Sequence, residues 1–184
     1  MTKIYIGIDP GITGAIVAVK NGQIIFQAVM PMKDEGFDVR ATCRILMALK
    51  VEHKDVFVIT EKLQPIITFR VGAWQTFKLG MAYQHVLSAI QACNLPFVAV
   101  IPRSWTKRIW EGLEPIYDPK KKPKKHKKTG ELLHKLDTKK MSLKAFQTFY
   151  PDADMRATEK SSKQHDGMVD AALLCRYGKL IEAV

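Results

Sequence analysis

The chain has 184 residues, 47% of them hydrophobic, and a formal net charge of +11. This length and apolar content suit one domain with a proper core, and no run approaches the about 20 apolar residues of a membrane span. The N-terminus shows no charged-then-apolar leader pattern, and the excess of cations points to a polyanionic partner, most often nucleic acid.

Taken in order, residues 3–9 form an apolar strand ending at Asp9, and a turn through Pro10 and Gly11 leads to a second strand over 14–20. A third covers 23–30, joined to the second by the hairpin turn Asn21-Gly22 and ended by Pro31. Asp9 therefore stands at the end of a buried strand, with Gly11 and Gly14 allowing close backbone approach beside it. A carboxylate held there suits a hard divalent cation, or it merely starts a turn. Residues 38–50 repeat apolar side chains at helical spacing, with Asp38 as N-cap.

Val56-Phe57-Val58-Ile59-Thr60 is a short continuous apolar run, as in a strand buried on both faces, and Glu61 follows at its end. A loop through Pro65 carries Ile66, Ile67 and Phe69. It leads to a long helix over 71–92 whose broad apolar face includes Val71, Trp74, Phe77, Met81, Val86 and Ile90. Residues 97–101 form another buried strand closed by Pro102. Just after it, Arg103, Trp105, Lys107 and Arg108 mix cations with an aromatic, either to grip phosphates or as a helix with a snorkelled surface.

Residues 111–136 break the pattern and read as a basic insertion or mobile loop. Seven of the chain's 29 basic residues fall within 120–128, among them Lys120, Lys121, Lys122, Lys124 and Lys125, and without these seven lysines the net charge falls to +4. Like charges repel and Pro123 breaks helix, so this run is expected not to fold on itself. It is either a solvated loop or localisation tag, or an arm lying along phosphates.

Asp137 caps a helix running to 149, ended by Pro151, and the last helix starts near His165 or Asp166 and runs to about 180. Lys139, Lys140 and Lys144 line the start of the former, where cations oppose the helix dipole, so they either contact phosphates, which accounts for them better than helix stability, or are ordinary solvated lysines. Asp166 and Asp170 lie one turn apart on one face, which Leu173 and Tyr177 continue. They either cap the helix and favour its dipole or meet a cation. Cys43, Cys93 and Cys175 lie far apart in apolar patterns and read as reduced thiols of an intracellular protein. There is no internal repeat.

Four strand-end and helix-start acids in a basic protein suggest a shared site. Oxygen-only ligands suit magnesium or manganese, and two such ions can serve phosphodiester cleavage. At this point the residues resemble a known family, the RuvC-like Holliday junction resolvases of the ribonuclease H superfamily, in the phage and organelle branch. The blocks that carry the resemblance are Ile8-Asp9-Pro10-Gly11-Ile12-Thr13-Gly14-Ala15, Val58-Ile59-Thr60-Glu61, Phe77-Lys78-Leu79-Gly80-Met81-Ala82-Tyr83 and Pro102-Arg103-Ser104-Trp105-Thr106-Lys107. They continue in Lys139-Lys140-Met141-Ser142 with Phe149-Tyr150-Pro151, and in residues 163–173 from Lys163-Gln164-His165-Asp166 to Leu173.

The resemblance implies an α/β fold with a mixed five-stranded sheet flanked by helices on both faces, as one nuclease domain over 1–184. It implies a homodimeric endonuclease that cuts four-way DNA junctions, in the cytoplasm of a bacterial or phage-infected cell or in an organelle. Asp9, Glu61, Asp166 and Asp170 become ligands of two magnesium or manganese ions. His165 is left as a ligand, a proton shuttle or a bystander, since some members carry histidine where Asp166 stands. Phe69 is the candidate for an aromatic that stacks at the junction centre, or it is the first core residue of the long helix. Two rival readings are a lobe of an actin-like or sugar-kinase ATPase, which needs a second lobe, and a non-catalytic branched-DNA-binding module. Carboxylates near DNA only weaken binding, which argues against the latter.

Overall fold

The computed structural model describes residues 2–34, 36–63, 72–125 and 129–182. Five strands form the central sheet in the order β3-β2-β1-β6-β7, namely β1 (Ile4–Asp9), β2 (Ala15–Lys20), β3 (Gln23–Val29), β6 (Val56–Glu61) and β7 (Phe97–Val100). The first three pair antiparallel, whereas β6 joins β1, and β7 joins β6, in parallel. Between β3 and β6 come a two-residue hairpin, β4 (Met32–Lys33) and β5 (Gly36–Phe37), then helix α1 (Val39–His53). The other helices are α2 (Ala73–Ala92), α3 (Pro102–Ile109), α4 (Thr138–Phe149) and α5 (Asp166–Glu182).

Strand alternation sorts the side chains into two cores. Ile4, Ile6 and Ile8 of β1 share one core with Val56 and Val58 of β6, roofed by Leu46 of α1 and by Val86 and Ile90 of α2. The intervening positions face the other side, where Ile59, Val17 and Val19 meet Trp105, Phe146, Met168 and Leu173 of α3, α4 and α5. Asp9 and Glu61 have the parity of Tyr5 and Ile59, so both belong to this second side. Helices thus cover both faces of a mixed five-stranded sheet, as the resemblance implied.

Asp38 and Asp137 cap α1 and α4 as expected, accepting from the Ala41 and Lys140 N–H groups at 2.9 and 3.2 Å. Three elements differ from the sequence reading. Pro102 does end β7, but it also occupies the first turn of α3, where its missing N–H costs nothing. The β4–β5 hairpin is too short to leave a pattern.

The third difference concerns residues 111–136, expected as a mobile insertion unable to fold on itself. Lys124 and Lys125, as β8 (Lys124–Lys125), pair antiparallel with β9 (Leu132–Leu133). Below them Tyr117 bridges to Leu136, and the Asp118 N–H donates to the Lys135 carbonyl at 2.8 Å. Backbone pairing lets successive lysines project to opposite faces, so their repulsion does not prevent a ribbon from forming. Residues 64–71, with Ile66, Ile67, Phe69 and Val71, and residues 126–128 lie outside the described set.

Candidate active site

Ile8 of β1 stands opposite Thr60 of β6, and the Thr60 hydroxyl donates to the Ile8 carbonyl at 3.1 Å in a buried position. The next residue on each strand is an acid, so parallel register alone sets Asp9 and Glu61 side by side at the carboxyl ends of adjacent strands. In open α/β sheets that is where ligands bind. Asp9 is fixed further by the Gly11 N–H, which donates to its Oδ1 at 3.0 Å.

Helix α5 closes the site because two glycines let it approach. A Cβ on Gly7 would lie 1.8 Å from the Ala171 carbonyl oxygen, and one on Gly167 only 2.5 Å from the Thr13 carbonyl oxygen and 3.0 Å from Asp9 Oδ2. Contacts this short leave no room for a side chain at either position. The close approach brings the first turns of α5 down on Asp9, with Asp170 facing the same buried space.

Electrostatics records the convergence. Burial raises the Asp9 carboxyl above its usual range, against the Gly11 hydrogen bond and the nearby His165, which favour its charge. Burial, then the charges of Asp9 and Asp170, push Glu61 up to about 7. Asp170 is pushed up to about 7, again chiefly by burial and then by Asp9 and Asp166, while the Ser142 hydroxyl and Lys139 oppose the shift. Asp170 Oδ1 is buried without a hydrogen-bond partner. Three half-buried carboxylates that resist ionisation together, one with an orphaned oxygen, are a donor set suited to hard cations.

Asp166 is placed differently. Its side chain is 62% exposed and ion-paired with Lys139 at the start of α4. Among the described residues no three Asp, Glu, His or Cys side chains close to coordinating distance. His165 caps α5: its Nδ1 accepts from the Met168 N–H at 3.3 Å and its carbonyl accepts from the Val169 N–H at 3.0 Å. An Nδ1 used as acceptor leaves the ring proton on Nε2 when the imidazole is neutral.

Glu61, Asp166 and Asp170 line a cleft of about 900 Å³ between α3, α4 and the approach to α5. Arg103, Lys139, Lys140 and Lys163 give its lining positive charge, and Trp105, Trp110 and Leu143 give it apolar surface. Trp105, expected among phosphate-gripping residues, is instead 2% exposed. Its indole Nε1 closes no hydrogen bond but lies beside Glu61, whose charged form it favours. Lys107 and Arg108 are exposed on α3, with Arg108 held by Glu111 at 2.8 Å.

Lys140 lies 3.6 Å from Asp137, and Lys144 reaches the Glu114 carboxylate at 3.5 Å and its carbonyl at 3.1 Å, bracing the ribbon's stem. Lys120, Lys121, Lys122, Lys124 and Lys125 are all exposed. Ser142 and the Lys139–Asp166 pair escaped the sequence reading, since contacts between α4 and α5 leave no local signal.

The fold is of the ribonuclease H type. Two solved structures are similar over nearly the whole chain: RuvC of Thermus thermophilus in complex with a Holliday junction substrate, and RuvC of the same organism in another structure. The first shares 14% identity at a TM-score of 0.59, covering 98% of this chain and 95% of that one. The second shares 15% identity at a TM-score of 0.52, covering 97% and 96%. No family model and no curated protein sequence matches the chain.

Proposed function

We propose that the protein is a structure-specific DNA endonuclease that resolves four-way junctions by paired, divalent-metal-dependent phosphodiester hydrolysis. The observation that carries this reading is the gathering of Asp9 and Glu61, at the carboxyl ends of β1 and β6, and Asp170 of α5 within electrostatic reach of one another, beside a cleft with cations in its lining. Half-buried carboxylates crowded so that their protons are held above the usual range have little purpose in a module that only holds DNA, because their charge disfavours phosphate nearby. The likeness to a RuvC structure bound to a Holliday junction supports the choice of substrate.

Asp9, Glu61 and Asp170, with Asp166 swinging from Lys139, would hold magnesium or manganese. A bound pair of such ions supplies an activated water and stabilises the leaving oxygen. The chain's own groups do the rest. Arg103, Lys139, Lys140 and Lys163 take the phosphates flanking the scissile bond, while Trp105 keeps water from the buried side of Glu61. The Thr60 hydroxyl holds the two strand ends in register. We read residues 1–184 as one nuclease domain acting as a homodimer, because two symmetric incisions need two sites facing one substrate.

The test is incubation with a labelled four-way junction, and with matched linear duplex, in magnesium or in chelator. Symmetric nicks in the junction that require the metal are expected. Asp9→Asn keeps shape but removes a ligand charge, so binding survives while cleavage falls by at least about a hundredfold. Cleavage at the wild-type rate by Asp9→Asn, or in chelator, rejects the assignment.

A further inference from the structure

The ribbon of β8 and β9 exposes apolar side chains that the body of the protein does not cover. Leu132 is 57% and Leu133 51% exposed, and each faces a lysine across the ribbon, Lys125↔Leu132 and Lys124↔Leu133. Adjacent residues on a strand point to opposite faces, so each face of the ribbon pairs one leucine with one lysine. A two-stranded ribbon with both faces in water is marginal on its own. This one is held from below by the Tyr117–Leu136 bridge and by the Asp137 N–H, which donates to the Ile116 carbonyl at 2.8 Å.

The cations are crowded as well. Contact with Lys121 and its charge, then desolvation and, last, the charge of Lys124, hold the Lys135 ammonium below the usual lysine range against the opposing charge of Asp118. Like charges gathered on an exposed stem, beside apolar side chains facing water, are costly until a surface both anionic and partly apolar covers them. A DNA groove is such a surface, with phosphates along its walls and base edges on its floor. Two strands about 4.8 Å apart, with their side chains, suit the roughly 12 Å major groove and overfill the roughly 6 Å minor groove.

We propose that this ribbon enters the major groove of a duplex arm, with Lys121, Lys124, Lys125 and Lys135 on the flanking phosphates and Leu132 or Leu133 against base edges. This rests on the proposed DNA-directed function and adds a second contact, separate from the cleavage site. The ribbon's stem leads through Asp137 directly into α4, whose first turn carries Lys139, so a grip on the arm is mechanically joined to the carboxylate cleft. The leucines supply water exclusion, not charge.

That division gives the test. Leu132→Ser with Leu133→Ser is measured by equilibrium binding to a four-way junction and to a duplex matching one arm, in chelator, over a series of salt concentrations. Affinity for both DNAs should fall at least about tenfold with the log–log salt slope unchanged, since every lysine that meets a phosphate stays in place. Leu132→Met with Leu133→Met restores apolar bulk and should recover the affinity, which separates groove binding from damage to the ribbon. Unchanged affinity in the serine variant overturns the proposal, as does a flattened slope. Weakened self-association with DNA affinity intact overturns it too, by showing that the leucines join protein copies. If the wild type binds neither DNA, the proposed nuclease function falls first and the groove contact with it. A wild type that binds DNA, beside a serine variant of equal affinity, removes the groove contact alone.

Discussion

Gly7 of β1 and Ala171 of α5 are in backbone contact: a Cβ at Gly7 would lie 1.8 Å from the Ala171 carbonyl oxygen. The helix that carries Asp166 and Asp170 is seated through this absence of a side chain. Two residues along the strand stands Asp9, and one residue back along the helix stands Asp170. Strand and helix can approach this closely only because residue 7 is glycine, and the distance between their carboxylates follows from it.

Gly7→Ala should therefore damage fold and site together. Overpacking a core usually costs about 1–3 kcal/mol, and a clash with backbone oxygen, which has no rotamer to retreat into, belongs at or above the top of that range. Urea unfolding should show a fall of at least about 3 kcal/mol, or no folded protein. A change under about 1 kcal/mol would mean that α5 is not seated against β1 in this way.

The raised carboxyls predict an unusual pH dependence of stability. Glu61 and Asp170 stand at about 7 in the folded protein, against 4.5 and 3.8 ordinarily. Between those values and 7 the folded state holds more protons than the unfolded chain, so stability falls as pH rises. It is fully present below the ordinary carboxyl range and lost once pH passes about 7. Without divalent metal, the wild type should be more stable at pH 5 than at pH 8. Asp170→Asn removes one of the groups and should gain on the order of a few kcal/mol over the wild type at pH 8, with little difference at pH 4. Thermal or urea midpoints for both proteins across that range decide it, and parallel curves would refute the crowded carboxylate cluster.

The site was legible where chemistry coincided with local pattern, and hidden where it depended on packing. Asp9 and Glu61 each follow an apolar run, so their strand-end placement could be read directly. The four-residue step from Asp166 to Asp170 showed a shared helix face, though not that Asp170 would be half-buried beside Asp9 while Asp166 paired with Lys139. For helix α3 the sequence supports two readings, because its eight residues include three cations and only Trp105 and Ile109 are buried, too few for a period to decide. The ribbon was missed for a related reason. A dense run of lysines looks unfoldable until Leu132 and Leu133, seven or more residues on, supply the pairing partner.

Self-association should depend on α2. The first half of this helix exposes Trp74, Phe77 and Met81, with Trp74 stacked on Phe77 at 5.6 Å and Lys78 over the Trp74 ring at 5.3 Å, whereas Val86 and Ile90 in its second half are buried. A contiguous apolar surface on a helix is a common mark of an interface. The wild type should sediment as a dimer at micromolar concentration. Trp74→Glu with Phe77→Glu should give a monomer whose thermal midpoint, measured at equal concentration, drops only by the stabilisation that association had supplied. A wild type that is monomeric both alone and on junction DNA rules out the dimer.

The lysines of the ribbon should act through salt-dependent affinity and leave the chemistry alone. Lys120, Lys121, Lys122, Lys124 and Lys125 are exposed, and none of them lines the cleft beside the carboxylates. Replacing all five with glutamine removes charge but keeps length, so the slope of log affinity against log salt should shrink by about 0.9 for every phosphate that a lysine had neutralised. Junction and duplex should weaken alike, because phosphates carry no information about branching. Cutting at saturating protein should proceed at nearly the wild-type rate, since Asp9, Glu61 and Asp170 are untouched. An unchanged slope would reduce the run to a solvated surface. A collapse of the saturated rate with affinity intact would instead place these lysines at the scissile phosphate, against the separation of ribbon and cleft in the fold.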